Sequence, residues 1–139
     1  MLYGSSNIEI CLQECRLNII DEIYLAKLIP KSKLKILDLS TRIIEEDNEF
    51  ESLNLTLNYI FCAEKHAYKI CRQLAKYAYG KGYDGIIYPS YFSQVKPESI
   101  PNIALFNSPI KDGKLKVSAI NRILLNQIDY KFSFGPIFQ

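Results

Sequence analysis

Apolar and polar positions alternate along this chain in short blocks, and each block predicts an element. Leu2-Tyr3 is a brief apolar start that reads as the tail of a strand, and Ser5-Ser6-Asn7 then supplies N-cap candidates. From Ile8 to Arg16 the apolar Ile8, Cys11, Leu12 and Cys15 recur at helical spacing. That places Glu9 and Gln13 on an outer face, with Glu14 near its edge. Ile23 to Ile29 predicts a strand closed by Pro30, and Lys33 to Leu39 alternates as a second strand does. Leu53 to Phe61 is apolar and ambiguous, with a helix as one option. Tyr68 to Tyr79 predicts a helix with Ile70, Leu74, Ala75 and Ala78 on one side, stopped by Gly80 and Gly82. Ile86 to Tyr88 is a short, buried-looking strand ending at Pro89, and Ile103 to Phe106 is another. Leu115 to Phe134 is rich in β-formers and predicts two strands. The acidic run Glu45 to Glu49 reads as a solvated loop, Ser93 to Pro101 as a polar loop, and Lys111 to Lys114 as a turn. Helices and strands intermix, which is the α+β class.

Composition narrows the picture. The chain has 139 residues, 48% of them apolar, which suits one domain over residues 1–139 with a core of its own. No internal repeat, low-complexity tract or linker divides it. Lys and Arg number 17 against 15 Asp and Glu, a net charge of +2. So small a bias points to neither nucleic acid nor an anionic membrane. The apolar stretch Ile19 to Pro30 carries Asp21, Glu22 and Lys27, which excludes a membrane span there. The N-terminus shows no signal-peptide pattern, so the four cysteines are expected to be cytosolic thiols in a cytoplasmic protein.

Three constellations have ordinary explanations. Cys11 and Cys15 are four residues apart, as are Cys62 and His66, and either spacing sets two metal ligands side by side on a helix. A zinc site needs three or four ligands and the chain has one histidine, so buried small hydrophobes and a surface histidine are the better reading, with no metal. Cysteine–histidine nucleophilic catalysis would use the same residues, but no neighbour that lowers a thiol pKa can be named. Gly80-Lys81-Gly82 is too short to cradle phosphate and acts as a helix stop.

The informative segment is Gly82 to Phe106. It runs glycine, Tyr83-Asp84-Gly85, a short strand, Tyr88-Pro89-Ser90, a polar loop, then Asn102-Ile103-Ala104-Leu105-Phe106. A serine just past a strand end is well placed to line a cleft, although Pro89-Ser90 taken alone reads better as a simple turn of the chain. Taken in order, these pieces resemble the C-terminal signature of the RES domain family. Tyr3-Gly4-Ser5-Ser6 followed by Cys11-Leu12-Gln13-Glu14 resembles that family's tyrosine-bearing strand, small polar turn and glutamate-bearing helix. The resemblance runs from the first residues to about Phe134.

The resemblance implies an ADP-ribosyltransferase-like fold, a split mixed β-sheet with flanking helices. It implies Glu14 and Ser90 as catalytic residues, and Tyr3, Ser90 and Asn102 as residues that bind NAD, the substrate. Glu14 would stabilise the cationic ribose, Ser90 would hydrogen-bond the ribose or the nicotinamide amide, and Tyr3 would stack on nicotinamide. The family's arginine lies upstream of the tyrosine strand and has no counterpart in these residues. Arg16, Arg42, Arg72 and Arg122 match no family arginine position, so the chain is expected to be shortened at its N-terminus. The implied activity is that of a toxin of a toxin–antitoxin system, which degrades NAD by hydrolysis or phosphorolysis. The implied partner is a protein antitoxin; homo-oligomerisation stays open, and no direct nucleic-acid contact is expected. Two alternatives stay open: a protein ADP-ribosyltransferase, and an inactive RES-like domain that only binds a partner.

Overall fold

The computed structural model describes residues 1–41, 52–62, 68–93, 100–129 and 135. The acidic run 45–49, residues 94–99 of the polar loop, His66 and the segment 130–134 lie outside these. The elements are β1 (Leu2–Ser5), α1 (Ile8–Glu14), β2 (Ile23–Pro30), β3 (Ile36–Asp38) and α2 (Leu53–Cys62). There follow α3 (Tyr68–Gly80), β4 (Gly85–Tyr88), a short 3-10 turn at Tyr91–Ser93, β5 (Asn102–Leu105) and β6 (Leu115–Ile123). No helix among the described residues is long and apolar enough to cross a membrane.

The protein is α+β. Four strands form a mixed sheet in the order β1-β5-β4-β3, and β2 and β6 form a separate two-stranded ribbon. In the larger sheet β1 and β4 both run antiparallel to β5, whereas β3 runs parallel to β4. Residues directly opposite one another share a face, as do residues two apart along a strand. The rows Tyr3–Ala104–Ile86 and Ser5–Asn102–Tyr88 therefore lie on one face of the sheet. Helix α3 packs on that face at β4, where Ala78, Ile86, Ala104 and Phe106 form a buried cluster. Leu37, Phe61, Ala75, Tyr83 and Tyr88 pack around it.

Local chemistry explains where the elements start and stop. Asn7 caps α1: it is extended, and its Oδ1 accepts from the Ile10 amide at 3.1 Å. The helix closes as Arg16 takes a left-handed φ of 49°, with its amide donating to the Gln13 carbonyl. The expected apolar stripe is corrected here. Ile10, not Ile8, is the fully buried residue of α1, while Ile8 and Cys15 are exposed. Seven residues span only two turns, too few for periodicity to select the inner face. At the end of α3, Gly82 turns the chain at φ 76° and Tyr83 donates back to the Ala78 carbonyl.

Of the pair of strands expected over Leu115 to Phe134, the described residues hold one, and 130–134 lie outside them. One strand, β6, ends at Ile123, and residues 124–129 carry no regular structure. Its partner β2 begins at Ile23, opposite Ile123, so the ladder has nothing further to pair with. The strand expected over Lys33 to Leu39 is shorter for a similar reason. Only Ile36, Leu37 and Asp38 meet β4 in parallel register.

Asp84 and Gly85 hold β4 in place. The Asp84 carboxylate pairs with Lys114 and accepts from the Lys35 amide at 2.7 Å, and its own amide donates to the Lys35 carbonyl. The Lys114 hydrogen bond, with the Lys35 amide behind it, holds the Asp84 carboxyl below the usual carboxylate range. Gly85 sits against β5 so closely that a Cβ would overlap the Ala104 carbonyl oxygen and crowd Leu105. We therefore expect Gly85→Ala to destabilise the fold by roughly 1–3 kcal/mol, as overpacking does. A thermal melt should show a lower Tm, and an unchanged Tm would mean that the strands are not packed this closely.

Candidate active site

The end of the sheet opposite Asp84 gathers the remaining polar chemistry. Strand β1 presents Tyr3, and the turn after it delivers α1, whose last residue is Glu14. Strand β4 ends on Tyr88, Pro89 breaks it, and Ser90 follows, buried. Strand β5 begins on Asn102, opposite both Ser5 and Tyr88. Helix α1 is tied to the strand below it by the Cys11 thiol, which donates to the Ser5 carbonyl at 3.8 Å. The Ser5 hydroxyl in turn donates to the Pro101 carbonyl at 3.3 Å.

Glu14 is the meeting point. Its Oε1 accepts from the Ser90 hydroxyl at 2.9 Å and from the Asn102 amide nitrogen at 2.5 Å. These residues lie 76 and 88 positions away in sequence. The negative end of a helix gives a carboxylate no help, so the two donors supply its compensation. Oε2 takes no hydrogen bond from any described residue. A cleft of about 340 Å³ opens here, lined by Tyr3, Gly4, Cys11, Glu14, Cys15, Tyr88 and Asn102. That is the small end of the range for ligand pockets, about 300–1,000 Å³.

All four residues singled out from the sequence come to this place, but with different exposure. Tyr3 is 66% exposed at the rim. Asn102 lines the cleft while remaining 5% exposed, and Ser90 is 1% exposed. Ser90 was expected to meet ligand directly. In the structure its hydroxyl donates to the Glu14 carboxylate.

Besides Gly4, three lining residues escaped sequence reasoning as site residues. Cys11 and Cys15 both face the cleft as free thiols. Burial pushes the Cys11 thiol up, which keeps it protonated and a poor nucleophile. Tyr88 is the third. Its ring stacks on Phe61 at 4.9 Å between centroids. Burial first, then the nearby charge of Glu14, pushes its phenol up to about 12. The usable signal was its place in β4, two residues after Ile86 and two before Ser90. Of the Cys62–His66 pair, His66 lies outside the described residues.

A larger cavity of about 510 Å³ lies at the other end of β4 and β5, against Tyr79, Tyr83, Asp84, Phe106, Asn107 and Lys114. Of its three charged lining residues, Asp84 and Lys114 pair with each other, and Asp112 is the third. The smaller cleft is the better candidate, since it gathers Tyr3, Glu14 and Asn102, with Ser90 bonded to the Glu14 carboxylate.

The family model for the RES domain matches residues 1–129. No curated protein and no solved structure matches the chain.

The environment of Tyr88 can be measured directly. Tyrosine Cζ resonances followed through an alkaline titration should show the Tyr88 phenol ionising at about pH 12. Glu14→Gln should lower that midpoint, because the glutamate charge is the second cause of the shift. A Tyr88 midpoint at the ordinary value of about 10 would contradict the burial.

Proposed function

The chain belongs to the RES domain family, and on that premise we propose that it is an NAD-cleaving toxin of a toxin–antitoxin system. The observation that carries the proposal is the Glu14 carboxylate, fixed through one oxygen and open at the other, on the wall of a cleft rimmed by tyrosines.

In this reading the bond between the nicotinamide nitrogen and the ribose C1′ breaks. The electron pair leaves with nicotinamide, and positive charge spreads over C1′ and the ring oxygen, as in glycoside cleavage. Glu14 faces that charge. Its donors hold it in position before the reaction begins, so little reorganisation is needed as the cation forms. Water or phosphate then gives an oxygen lone pair to C1′, and water releases its proton. Tyr3 offers its ring to the nicotinamide plane. Ser90 and Asn102 act by holding Glu14, and Asn102 also presents an edge to the cleft. A protein antitoxin as partner and a cytoplasmic location belong to the same reading.

The assay is nicotinamide release, with and without phosphate. Glu14→Gln should lower kcat on the order of a hundredfold or more, because glutamine keeps the shape and loses the charge. Ser90→Ala should cost roughly tenfold or less, since Asn102 still holds Oε1. Label from NAD that ends on protein rather than on water or phosphate would reassign the activity to ADP-ribosyl transfer. Undiminished turnover in Glu14→Gln would overturn the mechanism.

A further inference from the structure

The cleft holds one polar group that the proposed mechanism leaves unused, the hydroxyl of Tyr88. The residue lines the cleft and is held from behind by the stack of its ring on Phe61. Its hydroxyl makes no hydrogen bond to any described residue, and among the described residues no buried side-chain oxygen or nitrogen lacks a partner, so this hydroxyl is not buried and is open to the cleft the residue lines. The raised phenol makes it a proton donor throughout the neutral range. Tyr88 and Glu14 line the same cleft. The cleft therefore offers one carboxylate oxygen that only accepts and one phenol that donates.

A sugar hydroxyl suits that pair, since it donates one hydrogen bond and accepts others. We propose that Tyr88 is a specificity-determining residue that donates a hydrogen bond to the ribose hydroxyl whose own proton goes to Glu14. The inference rests on the NAD-cleaving reading, and it selects the 2′-hydroxyl. That group is bonded to the carbon next to C1′, so a carboxylate facing C1′ reaches it first. The ligand class is a nicotinamide nucleotide with an intact, unmodified 2′-hydroxyl on the nicotinamide ribose. A ligand without that hydroxyl leaves the Tyr88 phenol and the Glu14 oxygen without partners, and sites built to hydrogen-bond a hydroxyl discriminate by that means.

The probes are a non-cleavable NAD analogue, with the nicotinamide ribose ring oxygen replaced by CH2, and the same analogue lacking the 2′-hydroxyl. Calorimetry would give their affinities for wild type and for Tyr88→Phe, which keeps the ring that stacks on Phe61. Wild type should prefer the hydroxylated analogue. Tyr88→Phe should bind it roughly three- to tenfold more weakly while binding the deoxy analogue as wild type does. Its Tm should stay at the wild-type value. Equal binding of the hydroxylated analogue by both proteins would overturn the inference and leave the NAD reading standing. Equal weakening toward both analogues would also overturn it, because the effect would then belong to the pocket as a whole. A wild type that binds neither analogue would overturn the inference and the NAD reading together.

Discussion

The arrangement of the candidate site depends on one shared acceptor, Oε1 of Glu14, which takes hydrogen bonds from Ser90 and Asn102. The three residues come from the end of α1, the turn after β4 and the first position of β5. Each is positioned by a different local device: the Asn7 cap, the Pro89 break and the register with Ser5 and Tyr88. Both donors are buried, so water does not compete freely for them. Loss of the carboxylate would take this acceptor from the buried Asn102 amide, and an unmet buried donor costs more than a net hydrogen bond yields. The contact thus ties a seven-residue helix to the sheet and fixes a charge at the cleft in the same step.

The sheet that carries this site is anchored at its far end. Asp84 joins the start of β4 to Lys35 before β3 and to Lys114 before β6, and its carbonyl accepts from Phe106 after β5. Gly85 lets β4 lie against β5 without a Cβ between them. Through these contacts the Tyr-Asp-Gly segment sets where β4 begins, and four residues of strand then set where Tyr88 and Ser90 end up. The motif that carried the family resemblance is therefore structural at one end and chemical at the other.

Much of the element order was legible in the sequence, because it rests on local signals. Pro30 closes β2, Gly80 and Gly82 stop α3, and Asn7 was among the cap candidates before α1. What escaped depends on pairing over long distance. The length of β6 is set by where β2 begins, about ninety residues earlier, as the Ser118 contact to Lys27 across 91 positions illustrates. The inner face of α1 is set by β1 and not by its own seven residues. Glu14 was named through resemblance alone, and Ser90 through resemblance and its place just past a strand end; no periodicity connects positions 76 apart. Tyr88 escaped because a tyrosine at a strand end reads as packing. Only the register that sets it opposite Asn102 shows which end of the sheet it serves.

The central claim is that Ser90 acts through Glu14 and not on the ligand itself. A double-mutant cycle in kcat/KM for nicotinamide release tests it most directly, with Glu14→Gln, Ser90→Ala and the pair together. If Ser90 serves only to hold the carboxylate, the double variant should be no slower than Glu14→Gln alone. Losses that multiply independently would place the serine in contact with substrate and contradict the account.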